Sequence, residues 1–294
     1  MDLPVTAPTL TQRDVRVLHL EPTDRCQASC ALCARETNST FDKTLRHDLD
    51  MHKIMQVFDA NSIANLEKMF MCGVYGDPAA GQHSLDIYRA FRQLNPDIVL
   101  GMNTNGALRA PNWWRELAAI LNQPRDYVVF SIDGLADTNT VYRRGVDWHK
   151  LMANAQAFID SGGSAHWDML VYQHNEHQVN ECEQLARNMG FSWFRAKVSR
   201  RGFTKILQAP QGWQLPVTQN GVIQCHALQE HSAYIDARGT LRPCCWLTQG
   251  TVDFDAVQHS WHSNQPNTVC QATCGTQQHR TAFAQQWQRE VELA

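Results

Sequence analysis

The chain has no apolar run approaching the roughly 20 residues that a membrane-spanning helix needs. Its opening residues, MDLPVTAPTLTQRDV, carry neither a basic patch nor an apolar stretch, so they do not form a signal peptide. Excess charge of either sign is also missing. The 26 Lys and Arg against 29 Asp and Glu leave a formal net charge of −3 and a pI near 6.5. No global basic field therefore draws the chain to nucleic acid or anionic lipid. The 13 histidines form no HxxxH pair, which removes a helical two-histidine metal site. Cysteine is nearly absent from the middle of the chain, where only Cys72 and Cys182 occur. These absences predict a cytoplasmic protein that partners neither nucleic acid nor membrane.

What is present is a folding chain of 294 residues, 43% hydrophobic and 19% charged. That length supports one large core, or a larger and a smaller domain. After a tail over 1–14, strand and helix patterns alternate. VRVLHLE (15–21) is β-rich, and KMFMCGVYGDP (68–78) is a second strand closed by a Gly-Asp-Pro turn. Further strands are predicted over 127–134 and 192–200, with a strand and turn over 98–106 and a strand then loop over 165–177. Helical spacing predicts helices over 48–61, 84–95, 112–123, 147–162 and 179–190. This α/β alternation over 15–207 fits a doubly wound sheet as well as a partial (β/α)6 barrel. Either way, ligands belong at the carboxyl ends of the strands. From about 208 a Pro/Gly/Gln linker leads into AYIDARGTLRPCCW, a β-hairpin pattern in a small cysteine-rich domain over 208–278. A C-terminal helix is expected over 279–294.

Ten cysteines in a reducing compartment read as metal ligands or catalytic thiols rather than a disulfide framework. Cys26, Cys30 and Cys33 share one loop after the first strand. Three thiolates would leave one iron of a cubane [4Fe–4S] cluster open for a small chelating molecule. The alternative is a zinc site completed by a distant fourth ligand. Cys225, Cys244, Cys270 and Cys274 form a second set, fit to cap every iron of another cubane or to bind structural zinc. Cys244 and its neighbour Cys245 are alternatives for one place in that set.

The CxxxCxxC loop resembles the signature of the radical S-adenosylmethionine (SAM) superfamily. That resemblance implies a partial barrel in which SAM supplies the fourth ligand of the Cys26/Cys30/Cys33 cluster. Gly76-Asp77-Pro78 resembles the family's GGEP turn at the SAM amino group, with Asp77 in place of Glu and Tyr75 where Gly is common. Ser131-Ile132-Asp133-Gly134, followed by Tyr142-Arg143, is similar to the family's SxDG…YR pairing. It implies that Ser131, Asp133 and Arg143 bind SAM. By the same resemblance Leu32 lies beside the adenine, and Asn103 and Asn105, at the end of the third strand, join the cofactor contacts. The C-terminal cysteines resemble those of the Twitch domain, the shorter relative of SPASM domains, which carries an auxiliary [4Fe–4S] cluster. Cys244 fits that pattern by its distance from Gly239.

The resemblance implies reductive SAM cleavage to a 5′-deoxyadenosyl radical, hydrogen abstraction, and substrate oxidation helped by the auxiliary cluster. A ribosomal peptide is the first expected substrate, with a small sugar-like molecule, dehydrogenated or epimerised, as the alternative. An external one-electron reductant such as flavodoxin or ferredoxin would act as partner. The short tail over 1–14 predicts no separate leader-peptide-binding domain. A zinc-stabilised binding protein is the reading from a different class. Among other residues, Cys72 and Cys182 are expected in the core, and Cys245 at the active site as a hydrogen donor. His174, Asn175 and His177 read as cofactor contacts or loop caps. Lys197, Arg200, Arg201 and Lys205 read as a solvated strand end or an anion site.

Overall fold

The computed structural model describes residues 12–199, 201–213, 223, 225–248 and 268–274, and the backbone of 291–292. Arg200 and most of the predicted linker and C-terminal helix lie outside the described residues. Residues Val291–Glu292, within that predicted helix, form a strand instead.

Six parallel strands fall where the alternation places them. They are β1 (Val17–Leu20), β2 (Lys68–Cys72), β3 (Val99–Thr104), β4 (Tyr127–Ser131), β5 (Ala165–Val171) and β6 (Trp193–Val198). The sheet also contains β7 (Ser232–Ile235), β8 (Leu241–Arg242) and β9 (Val291–Glu292), in the order β8-β7-β1-β2-β3-β4-β5-β6-β9. A doubly wound sheet reverses its strand order at a switch point. Here β1 to β6 run in sequence without reversal, so the structure is the partial barrel that the sequence pattern alone could not distinguish.

Alternation along each strand separates two environments. Leu18, Leu20, Met69, Met71, Leu100, Met102, Val128 and Phe130 join one continuous apolar core. Burying each such side chain contributes about 1.5–3 kcal/mol. The opposite register, carrying His19, Phe70, Tyr127 and His166, faces the lumen. There His19 stacks on Phe70 with ring centres 4.5 Å apart, and Tyr127 stacks on His166 at 5.2 Å. Burial drives both imidazoles toward their neutral form, lowering His19 to about 4 and His166 to about 3.

The predicted helix over 48–61 divides in two. Asp50 caps Met51–Val57, and Asp59 caps Ala60–Ala64, each accepting a bond from a backbone N–H three residues on. A second capping aspartate inside a periodic run starts a new helix rather than continuing the old one. The helix Val179–Met189 ends as expected at Gly190, whose φ of +87° suits a left-handed cap.

The hairpin β7–β8 is antiparallel, but β7 also pairs parallel to β1, Leu18 opposite Ala233 and Leu20 opposite Ile235. The cysteine-bearing segment is therefore joined to the barrel through its sheet.

Candidate active site

The cysteine loop leaves β1 and crosses the carboxyl ends of the strands. Backbone bonds pin it in place: Ser29 N–H donates to the Arg144 carbonyl at 2.9 Å, and Ala31 N–H to the Tyr142 carbonyl at 3.3 Å. The approach is close enough to require glycine at Gly145, which has φ +81° and whose added Cβ would stand 3.0 Å from the Gln27 carbonyl oxygen.

Cys26, Cys30 and Cys33 line a cavity of about 740 Å³ that descends into the lumen as far as Val17 and Phe70. Ala28 N–H and the Asn105 side-chain amide both donate to Cys26 Sγ. Burial pushes the Cys26 and Cys30 thiols upward, and the neighbouring cysteines push them further; Arg143 draws Cys30 back down. The Cys26 and Cys30 thiols therefore ionise readily only with cationic charge beside them. Among the described residues, no three of His, Cys, Asp or Glu converge on one point to hold a single ion. The three thiols border one shared volume.

The Gly-Asp-Pro turn packs directly beneath this loop. A Cβ at Gly76 would meet the Thr23 carbonyl oxygen at 1.9 Å, so only glycine fits. Gly76 and Asp77 line the cavity, whereas Pro78 does not. Pro78 is buried, and starts the 3-10 turn Pro78–Ala80 behind the cavity wall. The Asp77 carboxylate accepts bonds from Thr104 Oγ1 (2.9 Å), Asn105 N–H (2.8 Å) and the Asn105 side-chain amide (2.7 Å). Asp77 and Asn105 thus tie two strand ends together. Asn103 differs: its Oδ1 is buried, has no partner and belongs to a cavity-lining residue. An orphaned acceptor of this kind is what a ligand donor would satisfy.

Ser131, Tyr142 and Arg143 also line the cavity, as does Leu32 on the cysteine loop. Arg143 Nε donates to Asp133 Oδ2 at 2.6 Å, and Leu170 N–H donates to Asp133 Oδ1 at 2.7 Å. Asp133 is fully buried and does not line the cavity. Contrary to expectation, its carboxylate orients Arg143 and is not itself presented to the cavity.

Sequence reasoning missed Glu21, although period two along Val17, His19 and Glu21 carried the signal. Its buried carboxylate accepts bonds from Tyr75 N–H (2.6 Å) and Gly76 N–H (3.0 Å), and from the Tyr234 hydroxyl on β7. Burial raises it from 4.5 to about 7, and those bonds restrain the rise. A carboxyl raised on folding binds more protons in the folded state, so its contribution is present below the unfolded value and lost as pH climbs through 7. Thermal stability should therefore fall between about pH 5 and 8 by up to roughly 3 kcal/mol. Melting curves of Glu21→Gln should show a flatter profile; an unchanged slope would exclude Glu21 as its source.

Other expectations are corrected by position. Cys72 lines the cavity rather than sitting in the core, and burial lifts its thiol to about 12. Cys182 is buried as expected. Asn175 caps its loop by donating to the Asp133 and Leu170 carbonyls. Lys197 and Arg201 line the cavity, with Lys197 Nζ 2.6 Å from Asp168, while Lys205 is exposed.

The same cavity is bordered on its other side by Cys225, Cys244, Cys245, Cys270 and Cys274. Cys244 lies within electrostatic reach of Cys225 and Cys270, and burial raises its thiol to about 11. Cys245 lies within electrostatic reach of Cys244, Cys72 and Glu21. Cys270 and Cys274 are four residues apart on the helix Thr268–Cys274, hence on one face.

A family profile described as the radical SAM superfamily matches residues 20–186. The chain belongs to the radical SAM superfamily. Membership makes it an enzyme, and implies SAM and a [4Fe–4S] cluster; the orphaned Asn103 acceptor and the gathered thiols fit both. The radical SAM barrel is also the fold of the solved structures it resembles. Streptococcus suis SuiB bound to precursor peptide SuiA matches with TM-score 0.58 and 14% identity, over 84% of this chain and 64% of that one. Native anSMEcpe with bound AdoMet and Cp18Cys peptide matches with TM-score 0.57 and 14% identity, over 79% of this chain and 74% of that one. The tungsten-containing aldehyde ferredoxin oxidoreductase cofactor-modifying protein of Pyrococcus furiosus is 28% identical over 131 residues, 45% of this chain. The matched stretch spans only 34% of that curated relative. Among the described residues no helix is long and apolar enough to cross a membrane.

Proposed function

We propose that this radical SAM enzyme modifies a ribosomal peptide oxidatively, using two [4Fe–4S] clusters. The observation that carries the reading is one cavity bordered by both cysteine sets, Cys26/Cys30/Cys33 and Cys225/Cys244/Cys270/Cys274. In this reading, the first cluster when bound supplies the electron that cleaves SAM to methionine and a 5′-deoxyadenosyl radical. The chain's own residues do the rest by position. Gly76 keeps the turn backbone close to the cysteine loop, Arg143 offers a guanidinium to the SAM carboxylate, and Asn103 offers its free acceptor. The apolar wall of Leu32, Phe70 and Leu170 excludes water from the reacting atoms. Bound peptides in SuiB and anSMEcpe support a peptide substrate here.

Cys245 supports a second reading, epimerisation. Its thiol lines the cavity, and burial holds it well above its ordinary range, hence protonated and able to donate a hydrogen atom.

Anaerobic reconstitution, followed by assay of 5′-deoxyadenosine with SAM and dithionite, tests the common core of both. SAM affinity gives a finer check. Ser131→Ala should weaken binding about fivefold, since one hydrogen bond contributes about 1 kcal/mol. Arg143→Ala alone would strand Asp133 as a buried charge, costing about 3–5 kcal/mol. The informative variant is therefore Arg143→Ala/Asp133→Asn. It should keep its iron yet bind SAM at least tenfold more weakly by calorimetry, since a charge-assisted bond contributes about 1.5–3 kcal/mol. Unchanged affinity would remove Arg143 from the site.

A further inference from the structure

The three thiols of the cysteine loop do not share one kind of hydrogen-bond donor. Cys26 Sγ accepts from two neutral groups, Ala28 N–H at 3.4 Å and the Asn105 side-chain amide at 3.7 Å. Cys30 receives the Arg143 guanidinium, and Cys33 receives that of Arg201. Two of the three sulfurs therefore meet a cationic donor.

The two cations differ in their surroundings. Arg143 Nε donates to Asp133 Oδ2 at 2.6 Å, so a full negative charge offsets it beside Cys30. Among the described residues no carboxylate pairs with Arg201. Its Nη1 donates instead to the Leu32 carbonyl at 3.1 Å, an oxygen without net charge. One side chain thus holds two adjacent loop residues, Leu32 by its carbonyl and Cys33 by its sulfur. The chain beyond β6 is shaped to bring it there. Arg201 N–H donates to Ser199 Oγ at 3.2 Å, and Gly202 follows at φ +83°, a left-handed turn that glycine adopts without strain.

We propose that Arg201 sets the reduction potential of the centre on the cysteine loop, by holding an uncompensated positive charge against Cys33. This rests on the reading that Cys26, Cys30 and Cys33 hold a [4Fe–4S] cluster. Reduction adds one electron to that cluster and moves no atom or proton. The added negative charge is shared with the thiolate sulfurs. A guanidinium bonded to one of them therefore stabilises the reduced state more than the oxidised one. In this role Arg201 is a positioning residue that acts through Cys33.

Arg201→Gln tests the assignment, with Arg201→Lys as the conservative variant. Lys205→Gln controls for net charge, since Lys205 is exposed and does not line the cavity. Each protein is reconstituted anaerobically and titrated with dithionite in the absence of SAM. Electron paramagnetic resonance follows the signal that Cys26→Ala/Cys30→Ala/Cys33→Ala lacks. At the midpoint of the unaltered chain, the reduced-to-oxidised ratio should fall about fivefold or more in Arg201→Gln, even with the arginine partly open to water. Arg201→Lys should recover most of that loss, and Lys205→Gln should show none. Iron content, and SAM affinity by calorimetry, should match the unaltered chain in all three. An unshifted midpoint in Arg201→Gln would overturn the proposal, as would an equal shift in Lys205→Gln. So would loss of iron, which would make Arg201 a brace for the loop, or weakened SAM binding, which would place it in the cosubstrate site. If the unaltered chain gives no signal that depends on the three loop cysteines, the reading of the loop itself fails, and the role of Arg201 with it.

Discussion

Replacing Cys26, Cys30 and Cys33 together with alanine should abolish SAM cleavage and leave about half the bound iron. The loop should survive the change. Its position is set by the backbone bonds from Ser29 and Ala31 to residues 142–144, and by the close contact at Gly145, none of which uses sulfur. Losing a small buried thiol costs little packing. Loss of activity with retained folding would therefore report the missing ligands. Iron analysis and circular dichroism, beside the 5′-deoxyadenosine assay, separate the outcomes. Continued 5′-deoxyadenosine formation by the triple variant would show that the active cluster lies elsewhere.

The second large effect concerns the cysteines across the cavity. Removing both Cys270 and Cys274 takes two thiols from one helical face and should empty the auxiliary site. In the proposed reading SAM cleavage depends on the other three cysteines, so 5′-deoxyadenosine should still form. Oxidised product should disappear, because the substrate radical has nowhere to pass its electron. A purely structural metal would behave otherwise: binding there would be folding energy, and solubility and both activities would fail together. Cys245→Ala adds a third pattern, in which inversion is lost while iron is retained. Quantifying 5′-deoxyadenosine and product side by side distinguishes the three. Normal oxidised product from Cys270→Ala/Cys274→Ala would sink the electron-acceptor role.

The barrel was legible because its signal is local. Six largely apolar strands, separated by amphipathic helices, announce themselves through periodicity. Strand order is not local, and only the pairing of β1 with β2 through to β6 separates a barrel from a doubly wound sheet. The site divides in the same way. Cys26, Cys30 and Cys33 were readable as a spacing. Asp133 was readable as a motif member, but whether its carboxylate meets a ligand or orients Arg143 depends on Leu170, on another strand. Glu21 and Tyr234 lie 213 residues apart, and no window along the chain joins them. Cys72 looked like core because its strand is apolar; the lumen it faces exists only once the sheet curves.

The attachment of β7 to β1 has a consequence for how this protein can be divided. β1 is an interior strand only while Ser232–Ile235 lies against it. Cutting the chain after the barrel would turn β1 into an edge, exposing a row of unpaired N–H and C=O groups beside Leu18 and Leu20. Such an edge invites pairing with another copy. The cysteine-rich segment therefore also shields the sheet. It is not a detachable module, and a barrel-only fragment would be prone to aggregate however well its own cluster loop was formed.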